Sequence, residues 1–253
     1  MSNNGFQCKQ FYIAHDLCAM KVGTDSLILG SWVDGVNQVR KSNAVQVLDI
    51  GTGSGLLAIM MAQKLSSVSA QIHAVEPNAE AFNQALTNMQ ASPWAECFEL
   101  RHGRIQEAQF ETGQFDLIVC NPPYFEQQKM HVNDKNAERF TDQRRMARHQ
   151  DSLSFNELLS CVANLLADNG EFYCVLPSEQ ALGFESILAE YGLLIRKKLN
   201  VKTTVKKPVK RCCWCIVKAF EGETEEQELV IHDSDGSYSD AYKELCGDFY
   251  LNF

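Results

Sequence analysis

The chain has 253 residues, of which 45% are apolar and 22% charged, a balance typical of a globular protein and not of a disordered one. This length is sufficient for one α/β domain with a sizeable core. No apolar run approaches the roughly 18 residues of a membrane-spanning helix, and the polar residues 1–10 lack the apolar segment of a signal peptide. We therefore predict a cytoplasmic protein.

The elements alternate through the middle of the chain. Strands are predicted at 45–50, 71–76, 97–101, 115–120 and 171–176, followed by two extended runs at about 193–205 and 212–220. Helices are predicted at 56–65, 78–90, 154–166 and 180–191, and Ser152 or Ser154 is the candidate N-cap of the third. This alternation predicts an α/β fold, a Rossmann-like parallel sheet with helices on both faces.

Two segments stand outside that alternation. Residues 1–44 precede the first strand as an N-terminal extension, and residues 45–253 form the main domain. An insertion at about 126–151, rich in both charges, is longer than ordinary connections, and we expect it to be functional or partly mobile.

The ten cysteines are scattered through apolar runs such as residues 117–120, which favours buried, reduced thiols. Cys212 and Cys215 have C-x-x-C spacing, but they lie in an apolar run typical of a strand. No second ligand pair has matching spacing, and the histidines show none either. We expect no metal site.

The net charge of −9 is unevenly distributed. Residues 196–211 include eight bases and no acid, whereas residues 212–253 include ten acids and two bases. Such segregation can place a basic patch on an acidic protein, and phosphate binding depends on the local patch. A solvated strand or loop is the alternative interpretation.

A glycine-rich loop, residues 49–55, ends the first strand of the main domain and opens a helix. Its Gly51, Gly53 and Gly55 have G-x-G-x-G spacing, in which the backbone turns tightly and approaches a ligand closely. Asp49 before the loop would repel a pyrophosphate but attract a cation, and S-adenosylmethionine carries an ammonium and a sulfonium. Glu76 closes the next strand and is placed to accept hydrogen bonds from ribose hydroxyls.

The motif Asn121-Pro122-Pro123-Tyr124 follows the strand at 115–120, at the strand ends where open α/β sheets bind ligands. Asn121 Oδ1 and the Pro122 carbonyl could each accept one N–H of an exocyclic amino group, and Tyr124 would stack on the base. Positioning and charge stabilisation would then carry the catalysis.

At this point the sequence resembles the class I S-adenosylmethionine-dependent methyltransferases of the N-P-P-Y type. The N-terminal residues 9–11, 14–16, 18–25 and 29–32, together with residues 92–96, 238–239 and 249–251, are similar to the bacterial valine tRNA adenine-37 N6-methyltransferase family. The resemblance covers nearly the whole chain, and the N-terminal block is its most specific part.

The resemblance implies a seven-stranded sheet whose last strand inserts antiparallel between the fifth and sixth. It implies that Asp49, Gly51, Gly53, Gly55 and Glu76 hold S-adenosylmethionine, with Ile105 against its adenine ring. Residues 20–25 would form a lid over the cofactor, and the lid's polar contacts would be Lys21, Thr24 and Asp25. Asn121 to Tyr124 would hold the target adenine of a tRNA anticodon loop, which is unpaired and therefore easily reached.

One departure and several alternatives accompany this resemblance. Arg104 stands where such enzymes often carry an acid that accepts from the cofactor's adenine amino group, and a guanidinium cannot accept. A protein glutamine N5-methyltransferase, an rRNA guanine N2-methyltransferase and an inactive RNA-binding domain are the alternatives.

For RNA binding, the sequence indicates two groups of basic residues and no obligatory protein partner. The first, the 197–211 strip, consists of Lys197, Lys198, Lys202, Lys206, Lys207, Lys210 and Arg211. The second consists of Arg144, Arg145 and Arg148 in the insertion.

Overall fold

The computed structural model describes residues 5–18, 21–34, 44–122 and 153–251. Its strands are β1 (Gly5–Gln7), β2 (Tyr12–Ala14), β3 (Val45–Ile50), β4 (Ala70–Glu76), β5 (Phe98–His102), β6 (Phe115–Cys120), β7 (Leu166–Pro177), β8 (Leu194–Thr204), β9 (Val209–Val217) and β10 (Glu225–His232). Its α-helices are α1 (Thr24–Trp32), α2 (Leu56–Lys64), α3 (Ala79–Ala91), α4 (Phe155–Leu165), α5 (Ser178–Ile187) and α6 (Asp240–Cys246).

The described strands from β3 onwards form one sheet with the order β10-β8-β9-β7-β6-β3-β4-β5. The strands β3 to β7 are parallel to their neighbours within this group. Strand β9 lies antiparallel between β7 and β8, which confirms the predicted insertion of the seventh strand between the fifth and sixth. The predicted strand count was wrong, since β10 adds an eighth strand parallel to β8.

Charge pairing accounts for the first half of this extra strand, which contains no apolar residue. The acidic first half of β10 aligns with the basic part of β8, with Glu225 opposite Lys197 and Glu226 opposite Lys198. Lys202 Nζ lies 2.7 Å from a carboxylate oxygen of Glu228. The basic and acidic segments of the sequence therefore meet in one part of the sheet.

Local capping signals fix the starts of two helices. Ser154 begins α4 with a capping box, in which its hydroxyl and the Glu157 carboxylate exchange hydrogen bonds with backbone N–H groups. This confirms Ser154 as the N-cap, whereas Ser152 lies outside the described residues. Asn78 caps α3 by accepting from the backbone N–H groups of Glu80 and Ala81.

The described part of the N-terminal extension is packed into the molecule. Strands β1 and β2 pair as a hairpin. The backbone of Cys8 forms an isolated antiparallel β-bridge with the backbone of Tyr250, near the other end of the chain. Helix α1 joins α2 and α6 in one hydrophobic core. Lys64 Nζ donates to the carbonyls of Ser31 and Val33 at 2.6 and 2.5 Å, which satisfies acceptors where α1 ends.

The cysteines are free thiols, and the C-x-x-C pair is divided by the sheet. Cys212 packs in the core on the α4 and α5 side, and Cys215 packs in the core on the α1 and α2 side. Because Cys212 and Cys215 are three residues apart on β9, their side chains point to opposite faces of the sheet. The two thiols therefore cannot bind the same ligand. Across the described ranges, no cluster of three metal-ligating side chains is found, and no helix is long and apolar enough to cross a membrane.

Candidate active site

The glycine-rich loop connects β3 to α2 at the carboxyl edge of the sheet. Gly51 and Gly53 have φ values of +70° and +57°, which side-chain-bearing residues rarely adopt. A Cβ at either position would meet no atom within 4 Å, so both glycines border open space. The N–H groups of Gly51 and Thr52 donate to the Val75 carbonyl and fasten the loop to β4.

Asp49 is fully buried at the base of this loop. Its Oδ2 accepts from the Thr52 hydroxyl at 2.6 Å and from the Ala58 N–H at 3.0 Å. Its Oδ1 is also buried and has no hydrogen-bond partner among the described residues. Burial raises the pKa of Asp49 to about 7, partly offset by these hydrogen bonds, and the nearby Glu76 carboxylate raises it further. The site therefore holds a buried carboxylate that no cation of the described residues neutralises.

Glu76 ends β4 beside the same loop and is also buried. Its two carboxylate oxygens accept from the N–H groups of Gly53 at 2.8 Å and Asn78 at 2.9 Å. Burial raises the pKa of Glu76, and these two hydrogen bonds oppose that rise. His102 Nε2 lies 3.1 Å from the Pro77 carbonyl oxygen, which places an aromatic ring next to the strand end that carries Glu76.

These features fit S-adenosylmethionine. Two carboxylates, Asp49 and Glu76, lie at a loop whose Gly51 and Gly53 leave space for a ligand. An unpaired buried carboxylate oxygen indicates a missing donor, and an ammonium group supplies both the donor and the compensating charge. A pyrophosphate would meet like charges at the same place.

Asn121 follows β6 directly, at the edge of the sheet that carries the glycine loop. Its Nδ2 donates to the Ser26 hydroxyl of α1 at 2.7 Å. This bond ties the Asn121 side chain to α1, and the role of its Oδ1 as an acceptor for the substrate stays a prediction. Pro122 is buried, and Pro123 and Tyr124 lie outside the described residues, so the stacking role of Tyr124 stays a prediction.

The other predicted cofactor contacts lie around the same edge of the sheet, and their roles stay predictions. Thr24 and Asp25 begin α1, and Asp25 accepts from Arg211 Nε at 2.8 Å. Lys21 is exposed two residues before the N-cap of α1. Ile105 is 5% exposed and packs in the core on the α4 side of the sheet. The Arg104 carbonyl accepts from the Glu107 N–H at 3.0 Å.

Among the described residues, some lysines of the 197–211 strip form ion pairs with acidic side chains, and others do not. Lys197, Lys198 and Lys202 lie within 2.6–2.7 Å of carboxylates of Asp34, Glu185 and Glu228. By contrast, Lys206 and Lys207 are exposed in the turn between β8 and β9, and no described residue forms an ion pair with either. Arg144, Arg145 and Arg148 lie outside the described residues, so their predicted RNA contacts stay untested.

Sequence reasoning missed Ser26, Thr52 and His102. Thr52 lies inside the glycine loop, and its hydroxyl bond to Asp49 could have been inferred from the three-residue spacing. Ser26 is 95 residues from Asn121, and no local pattern links them. No motif in the sequence singles out His102 at the end of β5.

The sheet order, the glycine loop with its two buried acids, and Asn121-Pro122 at the adjoining strand end define a class I S-adenosylmethionine-dependent methyltransferase. The family model named Methyltransferase small domain matches residues 35–149. A predicted O-methyltransferase from Agrobacterium tumefaciens has the same fold, with a TM-score of 0.61, 13% identity, and coverage of 89% of this chain and 96% of that one.

Curated relatives identify the family within this class. The tRNA1(Val) (adenine(37)-N6)-methyltransferase of Pseudoalteromonas atlantica is 39% identical over the full length of both chains. The enzyme of the same name from Yersinia pestis is 38% identical over 100% of this chain and 96% of its own. The chain belongs to the tRNA1(Val) (adenine(37)-N6)-methyltransferase family.

Proposed function

We propose that this protein transfers a methyl group from S-adenosylmethionine to N6 of adenine 37, beside the anticodon of tRNA1(Val). The observation that carries the proposal is the full-length identity of 38–39% with enzymes named for that reaction. The geometry supports the same chemistry. The Asn121 amide, a candidate acceptor for an amino group, lies at the same edge of the sheet as the buried Asp49 carboxylate, a candidate contact for a cationic cofactor.

Asp49 and Glu76 would hold the cofactor, which supplies an electrophilic methyl group when bound. The Asp49 carboxylate provides the negative charge for its ammonium group, and Thr52 and Ala58 keep the other carboxylate oxygen in place. Glu76 would accept from the ribose hydroxyls while its bonds to Gly53 and Asn78 fix the carboxylate plane.

Asn121 and Pro122 would orient the target base. Asn121 Oδ1 and the Pro122 carbonyl each accept one N–H of the adenine amino group, which directs the nitrogen lone pair towards the methyl group. N6 would gain the methyl group as the bond between that group and the cofactor's sulfur breaks, which leaves S-adenosylhomocysteine, and N6 would then lose one proton to solvent, so no general base is required. The hydrogen bond to Ser26 would hold the Asn121 side chain in position beside the base.

The tRNA anticodon loop is the proposed partner, and the cytoplasm is the proposed location. The lid over the cofactor, formed by residues 20–25, and a tRNA-contacting insertion at about 126–151 also belong to this proposal. The exposed Lys206 and Lys207 are the members of the 197–211 strip best placed to meet phosphates, since their charges are not neutralised by described acids.

The test is methyl transfer from tritiated S-adenosylmethionine to tRNA that lacks the modification, with the product digested and its nucleosides identified by mass. We expect N6-methyladenosine. Label in protein glutamine or in guanine N2 would replace the proposal with one of its two enzymatic alternatives, and no transfer at all would indicate an inactive RNA-binding domain.

A further inference from the structure

A cavity of about 250 Å³ opens beside the proposed site, between α1, α6 and the last three strands. Its polar and aromatic lining comes from both helices and all three strands. The residues that line the cavity include Asp25, Thr203, Lys210, Arg211, His232 and Tyr238. Nothing proposed above for the cofactor or the target adenine requires Thr203, Lys210 or His232.

The cavity lies at the same edge of the sheet as Asn121. On β9, Arg211 is in register with Pro177 of β7, and β7 is the direct neighbour of β6. Two strand spacings separate β9 from β6, which is about 10 Å. Helix α1 links the two places, because Asp25 lines the cavity and the next residue, Ser26, bonds Asn121. A single-stranded RNA with its target base at Asn121 would reach the cavity with an adjacent nucleotide.

The walls have the two chemistries that a nucleotide needs. Lys210 is exposed and only loosely paired, at 3.9 Å from Glu179, and Arg211 adds a second cation that is shared with Asp25. The opposite wall is a stack of rings: His232 lies 4.8 Å from Tyr238, and Tyr238 lies 5.2 Å from Tyr242, with interplanar angles of 25° and 23°. Cations bind phosphate, and aromatic side chains stack on unpaired bases without strict sequence preference.

Resting on the methylation of tRNA proposed above, we propose that this cavity binds the nucleotide next to the target adenine in the RNA chain. Lys210 and Arg211 contact its phosphate, and its base lies against the wall that His232 and Tyr238 form. The volume of about 250 Å³ is small beside the roughly 300–1,000 Å³ of small-molecule sites and limits the occupant to one nucleotide. The subsite holds the RNA while the target base is turned towards Asn121.

Two variants test the subsite, and a third is their matched control. Lys210→Gln removes the cation, and Thr203→Trp fills the cavity from an exposed strand position with little risk to folding. Lys218→Gln also removes one lysine charge, but Lys218 lies just beyond the other end of β9, at the opposite edge of the sheet. The substrate is an unmodified anticodon stem-loop RNA, and the affinity for S-adenosylmethionine is measured separately by calorimetry.

We expect Lys210→Gln to raise the KM for RNA several-fold. The slope of log binding affinity against log salt concentration should become shallower by about one. Thr203→Trp raises that KM by about tenfold or more, on the scale of one lost base–aromatic contact. Cofactor affinity and kcat at saturating RNA stay at the wild-type level, and Lys218→Gln behaves like wild type.

Equal behaviour of all three variants would overturn the subsite while leaving the methylation of RNA intact. A parallel loss of cofactor affinity in Thr203→Trp would also overturn it, by assigning the cavity to the cofactor. If the wild-type protein methylates no RNA, the proposed function itself is wrong, and this result is obtained before the variants are compared.

Discussion

Replacing Asp49 by Asn should stabilise the ligand-free protein and abolish cofactor binding. The pKa of Asp49 rises from 3.8 to about 7 on folding because the carboxylate is buried. At about 1.4 kcal/mol for each tenfold change, this difference corresponds to at most about 4 kcal/mol. The Asn side chain keeps an acceptor for Thr52 and Ala58 but carries no charge, so part of that free energy is recovered.

The sign of the pH dependence follows from the raised pKa. The folded protein favours protonated Asp49, so the stability associated with this group is fully present below about pH 4 and is lost as pH rises through about 7. The stability difference between Asp49→Asn and wild type should therefore grow between pH 4 and pH 7 and stay constant above. Urea unfolding of both ligand-free proteins at pH 5 and pH 8 measures it.

At pH 8, adding S-adenosylmethionine should make the wild-type protein more stable to unfolding than Asp49→Asn, which is the reverse of their order without the cofactor. A ligand at one thousand times its Kd stabilises a protein by about 4.1 kcal/mol, and only wild type should gain this increment, which exceeds the partial gain expected for Asp49→Asn. Asp116→Asn is the control, since Asp116 accepts from the Gln46 N–H at the other end of the sheet, away from the cofactor loop. An Asp49→Asn protein that is less stable than wild type at pH 8, or that binds the cofactor normally, would refute this reasoning.

Three further outcomes follow from the site. Asn121→Ala should nearly abolish methyl transfer in single-turnover assays with calorimetric cofactor affinity unchanged, and equal loss of both would mean that Asn121 holds the fold. Ser26→Ala should lower kcat by about two- to thirteenfold, the value of one hydrogen bond of about 0.5–1.5 kcal/mol, with little change in KM. Ser26→Thr should restore kcat, and failure to do so would remove Ser26 as a positioning residue. Lys206→Gln with Lys207→Gln should reduce the salt slope of tRNA binding by about two, whereas Lys202→Gln, already paired with Glu228, should leave it nearly unchanged; equal slopes would contradict phosphate contacts at the turn.

The sequence predicted best where local signals agree. Strands β3 and β6 were placed with their observed ends, because each is a short apolar run bounded by loop residues. Helix α2 follows the glycine loop directly, and the capping box of α4 is contained within four residues. In each case the information that specifies the element lies within the element or beside it.

The rest depended on contacts that are distant in the chain. Strand β10 combines an acidic first half with a short apolar run, Leu229 to Ile231, and the pairing of its acids with the basic β8 is not visible in either segment alone. The same pairing occupies Lys202, which the sequence presented as equivalent to Lys206. The bond between Ser26 and Asn121 depends on how α1 packs against β7, the neighbour of β6. Residue types alone identified the candidate groups, and the fold determined which of them meet.

The most direct measurement compares two transcripts of tRNA1(Val) that differ only at position 37, one with adenine and one with guanine. Incubated with the protein and tritiated S-adenosylmethionine, the adenine transcript should take up about one methyl group per molecule as N6-methyladenosine, and the guanine transcript none. Equal labelling of both transcripts, or labelling of the guanine transcript alone, would contradict the proposed function.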